Sequence, residues 1–134
     1  MLFRSKDLNR EKFKSENLLS VLNNPESNAN KNLKYLRNAM DVRSKLKQFH
    51  PCSEMKCLSK GRSDIVVIKR GQGPESVFAI HNMTENKINY QLNDNDLPKI
   101  IDNDFNTHDF LTSTKYNCKN ISLDPFQVIW LSAL

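Results

Sequence analysis

The spacing of apolar positions changes along the chain. Over residues 15–21, Leu18 and Leu19, with Leu22 just beyond, fit one face of a short helix that Asn23-Asn24-Pro25 stops. Ser27 or Asn28 can cap a second helix, in which Leu33, Leu36 and Met40 run beside Tyr35, Ala39, Val42, Leu46 and Phe49 at three- and four-residue spacings. That stripe is wide enough to need a partner surface. His50-Pro51 closes the helix, because the residue before a proline is pushed out of the α region.

Beyond Pro51 the period falls to two and the residues become β-branched or aromatic. Ile65-Val66-Val67-Ile68 and Val77-Phe78-Ala79-Ile80 read as buried strands, with Gly71-Gln72-Gly73-Pro74 as the turn between them. Thr84-Glu85-Asn86-Lys87 turns the chain again into Ile88, Tyr90 and Leu92, which alternate with polar residues and so predict one wet face. Residues 94–106 read as a polar loop, followed by short strands over 108–111, 120–123 and 126–131. The fold class expected is α+β: a helical arm over residues 1–52, then an antiparallel β-sandwich over 53–134. Once deprived of a partner, the arm's stripe is expected to fold onto the sandwich, self-associate or fray.

Composition agrees with one modest domain. Of 134 residues, 38% are apolar and 26% charged, with 3 Gly and 5 Pro, which supplies a core without a disordered bias. No apolar run reaches the ~20 residues of a membrane helix, and Met1-Leu2-Phe3-Arg4-Ser5-Lys6 turns polar too early for a secretory signal. With three cysteines, Cys52, Cys57 and Cys118, at least one stays unpaired; the expectation is free thiols in a cytoplasmic protein. Charge is uneven: residues 1–50 hold 11 Lys or Arg against 5 acids, a net +6, and the rest 9 against 10, a net −1. Such asymmetry can mark a nucleic-acid patch. Here the cations are interleaved with Asn, Glu and Leu and lack an aromatic stacking set, which favours a solvated helix face.

Candidate chemistry is sparse. Cys52, Cys57 and Cys118 with His50 and His81 lack the two close pairs of a structural zinc site, and Asp94, Asp96, Asp102 and Asp104 lack the Gly and closing Glu of a calcium loop. Asn82-Met83-Thr84 and Asn120-Ile121-Ser122 match a glycosylation acceptor, which matters only in a secreted protein. No phosphate loop, nucleophile elbow or Cys/His dyad is present, so spacing alone names no reaction, no catalytic residue and no cofactor.

Longer segments carry a resemblance. Asp7-Leu8-Asn9-Arg10-Glu11-Lys12, the stretch from Tyr35 to Pro51 with Arg43 and then Phe49-His50-Pro51, Val77-Phe78-Ala79-Ile80-His81-Asn82-Met83-Thr84, Asp109-Phe110-Leu111-Thr112-Ser113 and Ile121-Ser122-Leu123-Asp124-Pro125-Phe126-Gln127-Val128-Ile129-Trp130-Leu131 occur in that order. Together they resemble the end of the barrel and the C-terminal domain of sucrose phosphorylases and related α-glucosyl-transferring enzymes of glycoside hydrolase family thirteen, in the α-amylase superfamily. The likeness extends over nearly the whole chain.

The resemblance implies a parent enzyme that cleaves an α-glucosidic bond with retention and passes glucose to phosphate. Such chemistry needs a nucleophilic and an acid/base carboxylate on barrel strands, which would precede Met1. This chain alone is therefore expected to be inactive, either a remnant or a subunit completed by a separately encoded barrel. Arg10 matches the family arginine that binds the glucosyl unit, and is the substrate-binding candidate; without a barrel it is a solvated arginine. His81 and Asn82 read as strand-end hydrogen-bonding residues, and Trp130 and Phe126 as core packing in preference to a sugar platform. The alternative function is a free-standing module binding carbohydrate or an anionic polymer.

Overall fold

The computed structural model describes residues 14–97 and 105–133. These divide into two compact units, residues up to Asn38 and residues from Ala39 onward. The first unit holds α1 (Ser15–Asn23) and the start of α2 (Asn28–Lys45). Ser27 caps α2, accepting from the Asn30 N–H at 3.1 Å and donating back to the carbonyls of Val21 and Asn24, so one hydroxyl both starts the second helix and ties it to the end of the first. No residue of either helix is buried. Leu18 and Leu19 on α1 and Leu36 on α2 are exposed.

The second helix ends four residues before the sequence pattern does. It stops at Lys45, and Lys47–Phe49 form a single 3-10 turn. The apolar spacing continues through Leu46 and Phe49, but Phe49 serves the sheet below and not the helix, so periodicity overshoots the boundary.

The second unit is antiparallel throughout, which makes the chain α+β as expected. Its main sheet has the order β1-β2-β3-β8, from β1 (Met55–Cys57), β2 (Ile65–Arg70), β3 (Val77–Asn82) and β8 (Val128–Ser132). Two ribbons complete it: β4 (Ile88–Tyr90) with β7 (Ile121–Leu123), and β5 (Asn106–His108) with β6 (Lys115–Asn117). The strand expected over 108–111 is shifted: the β5–β6 ladder ends at His108, Asp109 makes an isolated bridge to Leu131, and Phe110, Leu111 and Thr112 turn.

Alternation sorts the main sheet into two faces. Ile65 and Val67, Phe78 and Ile80, and Ile129 and Leu131 point into one core cluster with Leu92, Cys118, Ile121 and Leu123 from the other side. Asp109 locks the last strand in place. Its fully buried carboxylate accepts from the Trp130 N–H at 2.7 Å, the Leu111 N–H at 3.2 Å and the Thr112 hydroxyl at 2.7 Å, while the Phe110 N–H donates to the Trp130 carbonyl. Three donors from two segments satisfy a charge that burial would otherwise penalise.

Candidate functional site

The outer face of the main sheet carries the residues left over from the core. Register sets Ile68 opposite Ala79 and Ala79 opposite Trp130, so one row across three strands reads large, small, large. Ala79 is the floor of a trough. Phe49 and Pro51 overhang it, the Phe49 ring lying 4.7 Å from that of Trp130 at an interplanar angle of 42°. With Met55 from the edge strand they enclose an open groove of about 430 Å³. That is within the size range of small-molecule sites, although shallower than most.

The overhang is held by hydrogen bonds. Arg70, at the end of β2, donates from Nε to the Gln48 carbonyl at 3.1 Å and from Nη2 to the His50 carbonyl at 2.7 Å, which satisfies the end of the 3-10 turn. The next residue, Gly71, has φ +78°, and a Cβ there would come within 2.9 Å of Gln48 Cγ. Any other residue would carry backbone strain and push the Gln48 side chain aside, which favours glycine here.

Polar groups at the groove are one-sided in charge. Arg43 stands at its rim, exposed, with no ion-pair partner among the described residues. His81 is half-buried on β3, and burial holds its imidazole below the usual histidine range, so it is neutral near pH 7. Among the described residues no carboxylate lines the groove. A second cleft, bordered by Arg62, Tyr90 and Lys119, is different: Asp64 is hydrogen-bonded to Arg62, and Asp94 pairs with Lys119. The Arg62 bond draws the Asp64 carboxyl below its ordinary value and raises the guanidinium in turn. Its cations are already neutralised.

Other residues singled out by the sequence fall into place. Arg10 lies outside the described residues, as do Asp102 and Asp104. Asn82 is 2% exposed and makes four side-chain hydrogen bonds: Nδ2 donates to the carbonyls of Asn86 (2.7 Å) and Asp124 (2.8 Å), and Oδ1 accepts from the Thr84 N–H and hydroxyl, both at 2.9 Å. It is a strand-end clamp, as its position suggested, and the same burial closes it to glycosylation in the folded chain. Asp96 is paired with Lys56 at 2.7 Å. Among the described residues no three His, Cys, Asp or Glu side chains converge as metal ligands, and the three cysteines are free, Cys118 alone being buried.

Trp130 and Phe126 depart from the expected core packing. Trp130 is half-buried on the outer face, because strand alternation gives the core to Ile129 and Leu131. Phe126 is 62% exposed on the turn before β8, with φ +56°. Nor do the two form a common platform: the ring that accompanies Trp130 is Phe49. Sequence reasoning missed Ala79 and Arg70 as groove residues, although alternation from Ile65 and Val77 places both on the face opposite the core.

The site therefore belongs to an α+β chain whose four-stranded sheet exposes an aromatic, cation-rimmed groove. No protein-family model and no curated protein matches the sequence. Among solved structures, the trehalose-6-phosphate hydrolase of Bacillus licheniformis aligns with 85% of this chain and 20% of its own, at 20% identity and a TM-score of 0.48. The chain spans about one fifth of that protein's length.

Proposed function

We propose that this chain is the C-terminal, non-catalytic region of a sucrose-phosphorylase-like α-glucosidic enzyme of glycoside hydrolase family thirteen. In this reading residues 53–134 form the terminal β-domain, residues 1–52 derive from the end of the barrel, and the reacting carboxylates belong to a barrel N-terminal to these residues, on the same chain or on a separate one. The observation that carries it is where the polar residues of the matched segments go. Asn82 clamps a turn, Asp109 anchors β8, and Gln127 accepts from the Asp124 N–H and donates to the Tyr116 hydroxyl, both within 2.9 Å. Each of these groups is committed to the fold, which is the role of a supporting domain and not of a reaction centre. Arg10, as the donor-sugar ligand of the assembled enzyme, is part of the same proposal.

The test is phosphate-dependent release of glucose 1-phosphate from sucrose and related α-glucosides, by the chain alone and mixed with any barrel encoded directly upstream. Silence alone and turnover on mixing support the reading. Turnover by the chain alone overturns it.

A further inference from the structure

The groove beside Trp130 has a feature that the supporting role does not use. Its floor and walls are largely apolar, Ala79, Ile68, Met55 and the tilted rings of Phe49 and Trp130, yet among the described residues its rim bears a guanidinium without an ion-pair partner and no carboxylate. With no acid among the described lining residues, the charge at the mouth of this open aromatic trough is of one sign. Burial keeps His81 uncharged, so the positive charge is concentrated on the arginine side. Arg70 adds to it, although two of its donors are already given to carbonyls.

We propose that this groove binds a small amphiphilic anion, an organic carboxylate with an apolar body. The body lies along Ala79 between Ile68 and Trp130, where burial removes both from water, and the carboxylate meets Arg43. The proposal stands apart from the glycosidase reading in needing no sugar chemistry, although Arg43, Phe49 and Pro51 belong to the segment that reading derives from the barrel.

The chain has one tryptophan, so its emission reports the groove directly. Octanoate is the probe, with octanol and octylammonium as the uncharged and oppositely charged controls, each titrated to about 3 mM, within the solubility of octanol and above a Kd on the order of 1 mM. The expected result is a saturable change with octanoate, weaker with octanol and absent with octylammonium. Arg43→Gln should weaken octanoate about fivefold, as loss of one partly exposed charge contact does. Met55→Glu, a substitution at an exposed edge position, should abolish binding by placing a carboxylate in the trough. Far-ultraviolet circular dichroism confirms that both variants remain folded. No saturable change with octanoate, an equal response to all three probes, or Arg43→Gln titrating like the parent chain overturns the proposal. A Trp130 signal that instead follows protein concentration, with a dimer in sedimentation, assigns the face to a second copy and overturns it too.

Discussion

Asn82→Ala removes four hydrogen bonds at once, and the structure sets the size of the loss. A net intramolecular hydrogen bond contributes about 1 kcal/mol, and an orphaned buried partner costs about 1–3 kcal/mol. Asn86 and Asp124 are exposed residues whose carbonyls regain water once the amide is gone, whereas the half-buried Thr84 N–H regains less. The total is about 3 kcal/mol, large for one substitution. Urea unfolding followed by Trp130 emission measures it; with a slope of ~1.5 kcal/mol/M the midpoint falls by about 2 M. Asn82→Asp adds a second reading. It keeps the acceptor for Thr84 but sets an anionic oxygen against two carbonyls, so its folded carboxyl is raised above the ordinary value of ~3.9. A raised folded value gives stability that is present at low pH and lost as pH rises through it, so this variant should be less destabilised near pH 4 than at pH 7. A midpoint drop under about 0.5 M for the alanine variant, or an aspartate penalty that does not shrink in acid, would refute the clamp.

Other substitutions probe separate parts of the fold. Asp109→Ala removes the acceptor of three donors and should cost about 3 kcal/mol in the same assay, with a change in Trp130 emission because its backbone N–H loses its partner. Burial pushes the Cys118 thiol up to about 11, so the folded state favours the protonated form; stability should be intact below pH 9, fall as pH rises towards 11, and fall less steeply in Cys118→Ala. Arg70→Lys offers one compact ammonium to two carbonyls, and should release the Phe49 overhang, cost about 1 kcal/mol and red-shift Trp130 emission; unchanged emission would count against the overhang being held this way. Phe126→Gly relieves a left-handed backbone at an exposed position and should raise the urea midpoint, by about 1 kcal/mol in stability.

What could be read from sequence depended on whether a residue's neighbours lay nearby in the chain. Strands β2, β3 and β7 announce themselves because one of their faces is committed to the core, and β-branched residues mark it. The edge strand β1, Met-Lys-Cys, is exposed at every position and pairs only with β2, so neither alternation nor composition betrays it. Residues 115–117 of β6 are equally silent. The apolar stripe of α2 overshoots because Phe49 has a tertiary partner, Trp130, that spacing cannot reveal. For the site, alternation in Val128-Ile129-Trp130-Leu131 already assigns Trp130 to the face opposite Ile129. Which residues stand over that face depends on Arg70 reaching back some twenty positions to Gln48 and His50, and this long-range tie leaves no local signature.

The order of strands in the main sheet also governs how the protein comes into being on the ribosome. β1, β2 and β3 form a local meander, but the fourth place is filled by β8, which meets β3 only after some fifty further residues. Until residue 132 has been made, one margin of β3 stays open, and Phe78 and Ile80 lack their cross-strand neighbours Leu131 and Ile129. A nascent chain in that state carries an unpaired strand beside an uncovered apolar surface, the combination most prone to pair with the wrong neighbour. Release of β8 is then the event that turns a sticky intermediate into a finished domain, and a stalled or shortened message should yield aggregates instead of a smaller folded product.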